Sequence, residues 1–204
     1  MFLRSSNRYR VLQLFFDEPS APHQLREISR KLKLGLPSVI NHVKALEKEG
    51  FVKKQRILHT FAYVASGDER FRLYKKHDLI LRLHESGLIG KIVEQSQPNC
   101  IILFGSARTG HDVESSDVDL FVQAEERRDD WSGYEKLIRR KINILYEPEP
   151  WRINEELRTN LANGDVLYGY AAVDEWSSGA SRRTSGSPGA SSGTRRSVSG
   201  PSRS

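Results

Sequence analysis

Apolar positions in the first fifty residues fall at helical intervals, separated by turn residues. Tyr9, Val11, Leu12, Leu14, Phe15 and Phe16 predict a helix over residues 7–16, and Asp17-Glu18-Pro19 ends it because proline cannot continue the hydrogen-bond ladder. After Pro22, the apolar residues Leu25, Ile28 and Leu32 predict a second helix running up to Gly35, a residue suited to the left-handed turn between two helices. Pro37 is tolerated in a first turn, and Leu36, Val39, Ile40, Val43 and Leu46 predict a third helix stopping near Gly50. Burying that stripe turns Ser38, Asn41, His42, Lys44 and Lys48 outward, side chains that donate to phosphates and base edges. Phe51-Val52 and Phe61-Ala62-Tyr63-Val64 read as two short strands flanking a basic connection, Lys53-Lys54-Gln55-Arg56.

Three short helices, a glycine turn and a basic hairpin resemble the winged helix-turn-helix domains of bacterial and archaeal regulators. The resemblance implies that the third helix lies in a major groove and that the hairpin, as a wing, grips phosphates. It makes double-stranded DNA the expected partner, with Ser38, Asn41, His42, Lys44, Lys53, Lys54 and Arg56 as contact residues. Charge agrees: residues 1–66 carry 12 Lys/Arg against 5 Asp/Glu, as a polyanion-binding surface requires. Protein contacts or dimerisation are the other use of such a domain.

Farther along, Asp68 is placed to cap a helix through Leu83 with Phe71, Tyr74, Leu79, Ile80 and Leu83 as its apolar positions, and Gly87 stops it. A shorter helix, Leu88–Glu94, leads to Pro98. These two read as a helical linker, 67–98, that packs under the next domain or pairs two subunits. From residue 99 to 175 the balance reverses to 9 basic against 16 acidic residues, which favours cations as ligands.

Ile101-Ile102-Leu103-Phe104 is a buried-strand run ending at the small-residue turn Gly105-Ser106. Ten residues separate Ser106 from Asp117-Val118-Asp119-Leu120-Phe121-Val122, a second strand with two acids two positions apart. Strand side chains alternate, so Asp117 and Asp119 share one face and Val118 and Leu120 take the other. Two carboxylates on one point repel unless a hard cation such as Mg²⁺ satisfies them.

"LFGSARTG" followed by "SSDVDLFV" resembles the nucleotidyltransferase superfamily that includes DNA polymerase beta, in its minimal archaeal and bacterial form, over about residues 88–170. The expected fold class is therefore α+β: a winged helix-turn-helix followed by a small mixed-sheet nucleotidyltransferase domain with helices packed on it. The resemblance implies transfer of a nucleoside monophosphate from a nucleoside triphosphate, with two Mg²⁺ ions. It assigns Asp117 and Asp119 to metal binding and catalysis, Gly105 and Ser106 to the triphosphate, and Arg108 to charge balance there. Minimal members of this family often act beside a HEPN-type toxin as its antitoxin, and the resemblance permits such a partner. The family's third acid stands on a later strand; here, in Lys141-Ile142-Asn143-Ile144-Leu145-Tyr146, that position is Asn143, which can offer an oxygen but no charge and no proton acceptor. Glu147 is the nearest acidic substitute.

Trp131–Arg140 and Trp151–Leu161 predict two more helices, and Trp151, Leu157, Leu161 and Tyr168 read as core. The lone Cys100 excludes an internal disulfide and a cysteine-rich zinc site and reads as a small buried hydrophobe. No apolar run reaches the roughly 20 residues of a membrane span, and Met1-Phe2-Leu3 passes straight into polar residues, so the expectation is a soluble, cytoplasmic protein. Residues 176–204 are Ser/Gly-rich with five arginines and no acid, a disordered tail that either contacts nucleic acid through Arg182, Arg183, Arg195 and Arg196 or is a solvated extension. Two functions fit: a Mg²⁺-dependent nucleotidyltransferase acting on a protein or small molecule, or a DNA-binding regulator, such as an antitoxin, whose second domain only binds nucleotide or dimerises.

Overall fold

The computed structural model describes residues 6–127 and 129–172, so the serine-rich tail lies outside the described residues. The first three helices are α1 (Asn7–Asp17), α2 (Leu25–Leu32) and α3 (Leu36–Lys48), followed by the hairpin β1 (Val52–Ile57) and β2 (Thr60–Ala65). Their inward stripes meet in one core of Val11, Phe15, Phe16, Ile28, Val39, Val43 and Leu46, closed by Phe51 and Val52. Burying a side chain of this size contributes about 1.5–3 kcal/mol, so each short helix depends on its neighbours rather than on intrinsic propensity.

Two local readings change. The left-handed residue between α2 and α3 is Lys33, with φ 54°, while Gly35 has φ −59° and caps α3. The helix closes early because the Leu34 amide bonds back to the Ser29 carbonyl at 3.1 Å. The basic run is not a connection either. It is strand β1 itself, paired from Val52↔Ala65 to Ile57↔Thr60, and the turn is Leu58-His59. A two-residue turn suffices for a hairpin, so the ladder extends over residues that composition assigns to a loop.

The chain continues through α4 (Glu69–Glu85) and α5 (Leu88–Ser96) into a four-stranded sheet built from β3 (Cys100–Phe104), β4 (Val118–Val122), β5 (Ile142–Tyr146) and β6 (Asp165–Gly169). Its order is β5-β4-β3-β6, with β4 and β5 parallel and the other pairs antiparallel. The short helices α6 (Gly105–Thr109), α7 (Ser132–Ile138) and α8 (Glu155–Ala162) complete the unit. Asp68 caps α4 by accepting from the Phe71 amide at 2.8 Å. Phe71 belongs to the first core, whereas Leu79 and Leu83 belong to the second, with Leu88, Ile89, Ile92 and the inner sheet face. The linker helix is thus shared between the two halves.

On the opposite sheet face Leu161 of α8 packs on Cys100, Ile102 and Phe121. Cys100 is fully buried, as its sequence setting predicts, and burial pushes its thiol up to about 11. Trp151 and Tyr168 are not core: they are 42% and 41% exposed, because residues 150–152 form a separate 3₁₀ turn and β6 is an edge strand. Among the described residues no helix is long and apolar enough to cross a membrane.

Candidate functional site

Strands β3 and β4 run antiparallel, so the C-terminal end of β3 and the N-terminal end of β4 share one sheet end. There the chain leaves β3 through Gly105-Ser106 into α6, and the acid pair enters β4. Phe104 registers with Asp119 across the ladder. Gly105 has φ 73°, and a Cβ built on it would stand 2.5 Å from Asp119 Oδ2. Only glycine allows the turn and the carboxylate to approach this closely. Ser106 is exposed beside it, and Arg108 lies half-buried two residues later, roughly 200° around the helix from Ser106. The structure therefore brings Gly105, Ser106 and Asp119 together and sets Arg108 on the other flank of α6.

Asp119 registers on its other side with Asn143 of β5, and the Asn143 amide donates to Asp119 Oδ1 at 3.4 Å. The position expected for a third acid is thus where strand alternation placed it, holding an amide. Burial raises the Asp119 pKa above its ordinary 3.8; the Asn143 hydrogen bond offsets part of that rise, and the neighbouring negative charge of Asp117 adds to it. Asp117 precedes the strand by one residue, Val118 being held by its amide to the Lys141 carbonyl at 2.8 Å. Glu147 falls past the end of β5 and accepts from the Glu149 amide, so it takes no part in this site. Among the described residues no group of three or more His, Cys, Asp or Glu side chains gathers to hold a metal ion.

Lys141, one residue before β5, is exposed on the same side as Asn143, a position legible in the alternation of Lys141-Ile142-Asn143. Lys141, Lys136, Ser116 and Asp117 line a cleft of about 720 Å³ beside the acid pair. The sequence pattern also does not show the buried ionic groups. Lys75, Asp78 and Arg82 interrupt the apolar stripe of α4, and Asp112 sits in the loop before Asp117, all no more than 8% exposed.

In the first unit, α3 turns one stripe of side chains to solvent. Pro37, Asn41, Lys44 and Lys48 form its exposed stripe, opposite buried Val39, Val43 and Leu46, with Ser38 and His42 half-buried on its flank. In the wing, Lys54 and Arg56 are exposed, and the Lys54 ammonium lies 4.3 Å over the Phe61 ring. Lys53 is also exposed but donates to the Ser66 carbonyl at 3.0 Å.

Two family models match the chain. Residues 5–54 match the bacterial regulatory proteins of the arsR family, and residues 88–166 match the polymerase beta nucleotidyltransferases. The chain carries an arsR-type helix-turn-helix joined to a polymerase beta-type nucleotidyltransferase domain. A search of curated proteins finds no match. Helix α4 lies between the two matched stretches, and the nucleotidyltransferase match takes in Gly105, Ser106, Asp117, Asp119 and Asn143.

Proposed function

We propose that the chain is a DNA-binding regulator whose nucleotidyltransferase domain takes a nucleoside triphosphate with a divalent cation and transfers its nucleoside monophosphate to a hydroxyl of a protein or small molecule. The observation that carries the nucleotide half is the packing of Gly105 on Asp119, with Asp117 close enough to perturb it. A partly desolvated carboxylate with a second carboxylate as neighbour calls for a cation, and an all-oxygen donor set suits Mg²⁺. Asp117 and Asp119 are the residues to hold it. With Asn143 in place of a third acid, these donors fit one ion rather than two.

When bound, Mg²⁺ neutralises charge on the triphosphate. Gly105 leaves room for phosphate oxygens at the backbone, and the Ser106 hydroxyl donates to one of them. The acceptor oxygen attacks the α-phosphorus, the bond to pyrophosphate breaks, and the hydroxyl proton passes to solvent water. Asn143 cannot take the acceptor's proton, and that observation favours a second reading in which the domain senses nucleotide without transfer. In the DNA half, Asn41, with Ser38, His42 and Lys44 around it, reads base edges, and Lys53, Lys54 and Arg56 hold phosphates.

Incubation with α-³²P-labelled nucleotides and Mg²⁺, alone and with a candidate HEPN-type toxin, tests the reading. Label is expected on the chain or its partner and is expected to vanish in Asp119→Asn. Nucleotide binding without transfer of any label selects the sensor; neither binding nor transfer discards the nucleotide reading.

A further inference from the structure

The loop from α6 to β4 ends on Asp117, and one buried guanidinium spans it. The Arg140 side chain, 8% exposed, pairs with Asp112 Oδ2 at 2.8 Å. It also donates to the carbonyls of Val113 at 2.7 Å and Ser116 at 3.3 Å. Its three acceptors thus run from the start of the loop to the residue just before Asp117. Asp112, 4% exposed, is held from the opposite side by Lys75 of α4 at 3.0 Å. The next residue along the chain, Lys141, fixes the other flank by accepting the Val118 amide. Arg140 and Lys141 therefore pin the backbone on both sides of Asp117.

All three contacts are made by one nitrogen, Nη1, so a single group ties Asp112, Val113 and Ser116 to one point. Resting on the nucleotide-site reading above, we propose that Arg140 is a positioning residue: by spanning Asp112, Val113 and Ser116 it aims the Asp117 carboxylate at the cation shared with Asp119. Residues that orient metal ligands without touching the metal change metal affinity by about 10–100-fold when altered.

The test is titration of Mg²⁺ into the full chain with mant-labelled ATP, CTP, GTP or UTP, whichever binds tightest, followed by fluorescence at a temperature where every variant is folded. Arg140→Met keeps the stem but removes the nitrogen that serves all three acceptors, and is expected to raise the Mg²⁺ concentration at half-binding about tenfold. Ser116→Ala removes the hydroxyl that accepts the Val113 amide within the same loop; it is mild enough to fold and is expected to shift the midpoint in the same direction, by about threefold. Val39→Ala, in the core of the first unit and outside this loop, serves as the stability control and is expected to lower Tm while leaving the midpoint within twofold. An unchanged midpoint in both loop variants, or an equal shift in the control, overturns the positioning role alone. Absence of Mg²⁺-dependent binding in the unaltered chain overturns the site reading, and this inference with it.

Discussion

At the residue scale, the site is a place where folding works against itself. Asp119 is held in a setting that disfavours its charged form, first because it is partly buried and then because Asp117 stands beside it. A carboxyl whose folded pKa is raised adds stability only while protonated, below its ordinary 3.8, and that contribution is lost as pH rises through the folded value. At neutral pH the ionised group is therefore a liability to the metal-free fold. Asp119→Asn is expected to melt higher than the unaltered chain at pH 7, with the difference shrinking towards pH 4, as differential scanning fluorimetry across that range would show. A difference that grows on acidification would contradict the assignment. Asn143→Asp tests the same balance in reverse. A third carboxylate in register with Asp119 should lower Tm without metal and make Mg²⁺ more stabilising than it is for the unaltered chain, measured as the Tm shift at fixed Mg²⁺.

At the element scale, the proposed DNA binding is divided between α3 and the β1–β2 hairpin. One stripe of α3 is consumed by the core, and its opposite stripe offers Asn41, Lys44 and Lys48. Lysines that neutralise phosphates release counterions, so each contributes about 0.9 to the slope of log affinity against log salt. The double variant Lys44→Ala, Lys48→Ala is expected to flatten that slope by roughly 1.8 on any duplex, whereas Asn41→Ala should change which sequence binds best and leave the slope alone. Fluorescence anisotropy over a salt series separates the two; equal slopes for the double variant and the unaltered chain would remove α3 from the phosphate interface.

At the scale of the whole molecule, α4 makes two family-sized pieces into one body. Arg82 pairs with Asp78 and with Asp17 of α1, both at 2.5 Å, and Arg139 beyond α7 reaches the same Asp17 at 3.1 Å. Tyr9 and Gln13 of α1 donate to Asp78. The Ser20 amide donates to Glu114 at 2.8 Å, in the loop that leads to Asp117. Removing one member of a buried ionic cluster leaves the others desolvated and unpaired, a loss of about 3–5 kcal/mol. Arg82→Met is expected to lose that much in chemical denaturation. Because Phe71 sits in one core and Leu79 and Leu83 in the other, calorimetry should record a single transition for the unaltered chain, with equal van't Hoff and calorimetric enthalpies.

The two architectures and most of the candidate site were legible in the amino-acid order, because they rest on local rules. Helical spacing outlined α1 to α3, strand alternation put Asp117 with Asp119 and Asn143 at the third-acid position, and Gly105 marked the turn. Other features depended on which segments meet. The ladder of the wing drew the basic run into β1, and a back-bond to Ser29 moved the left-handed residue to Lys33. Lys75, Asp78, Arg82, Asp112 and Arg140 look like solvated charges along the chain; they are buried only because α1, α4 and the loop before β4 close on one another. Periodicity fixes which face a side chain takes within its own element, but the partner it finds there is set by long-range packing, and that packing decided how the helix-turn-helix half is joined to the loop carrying Asp117.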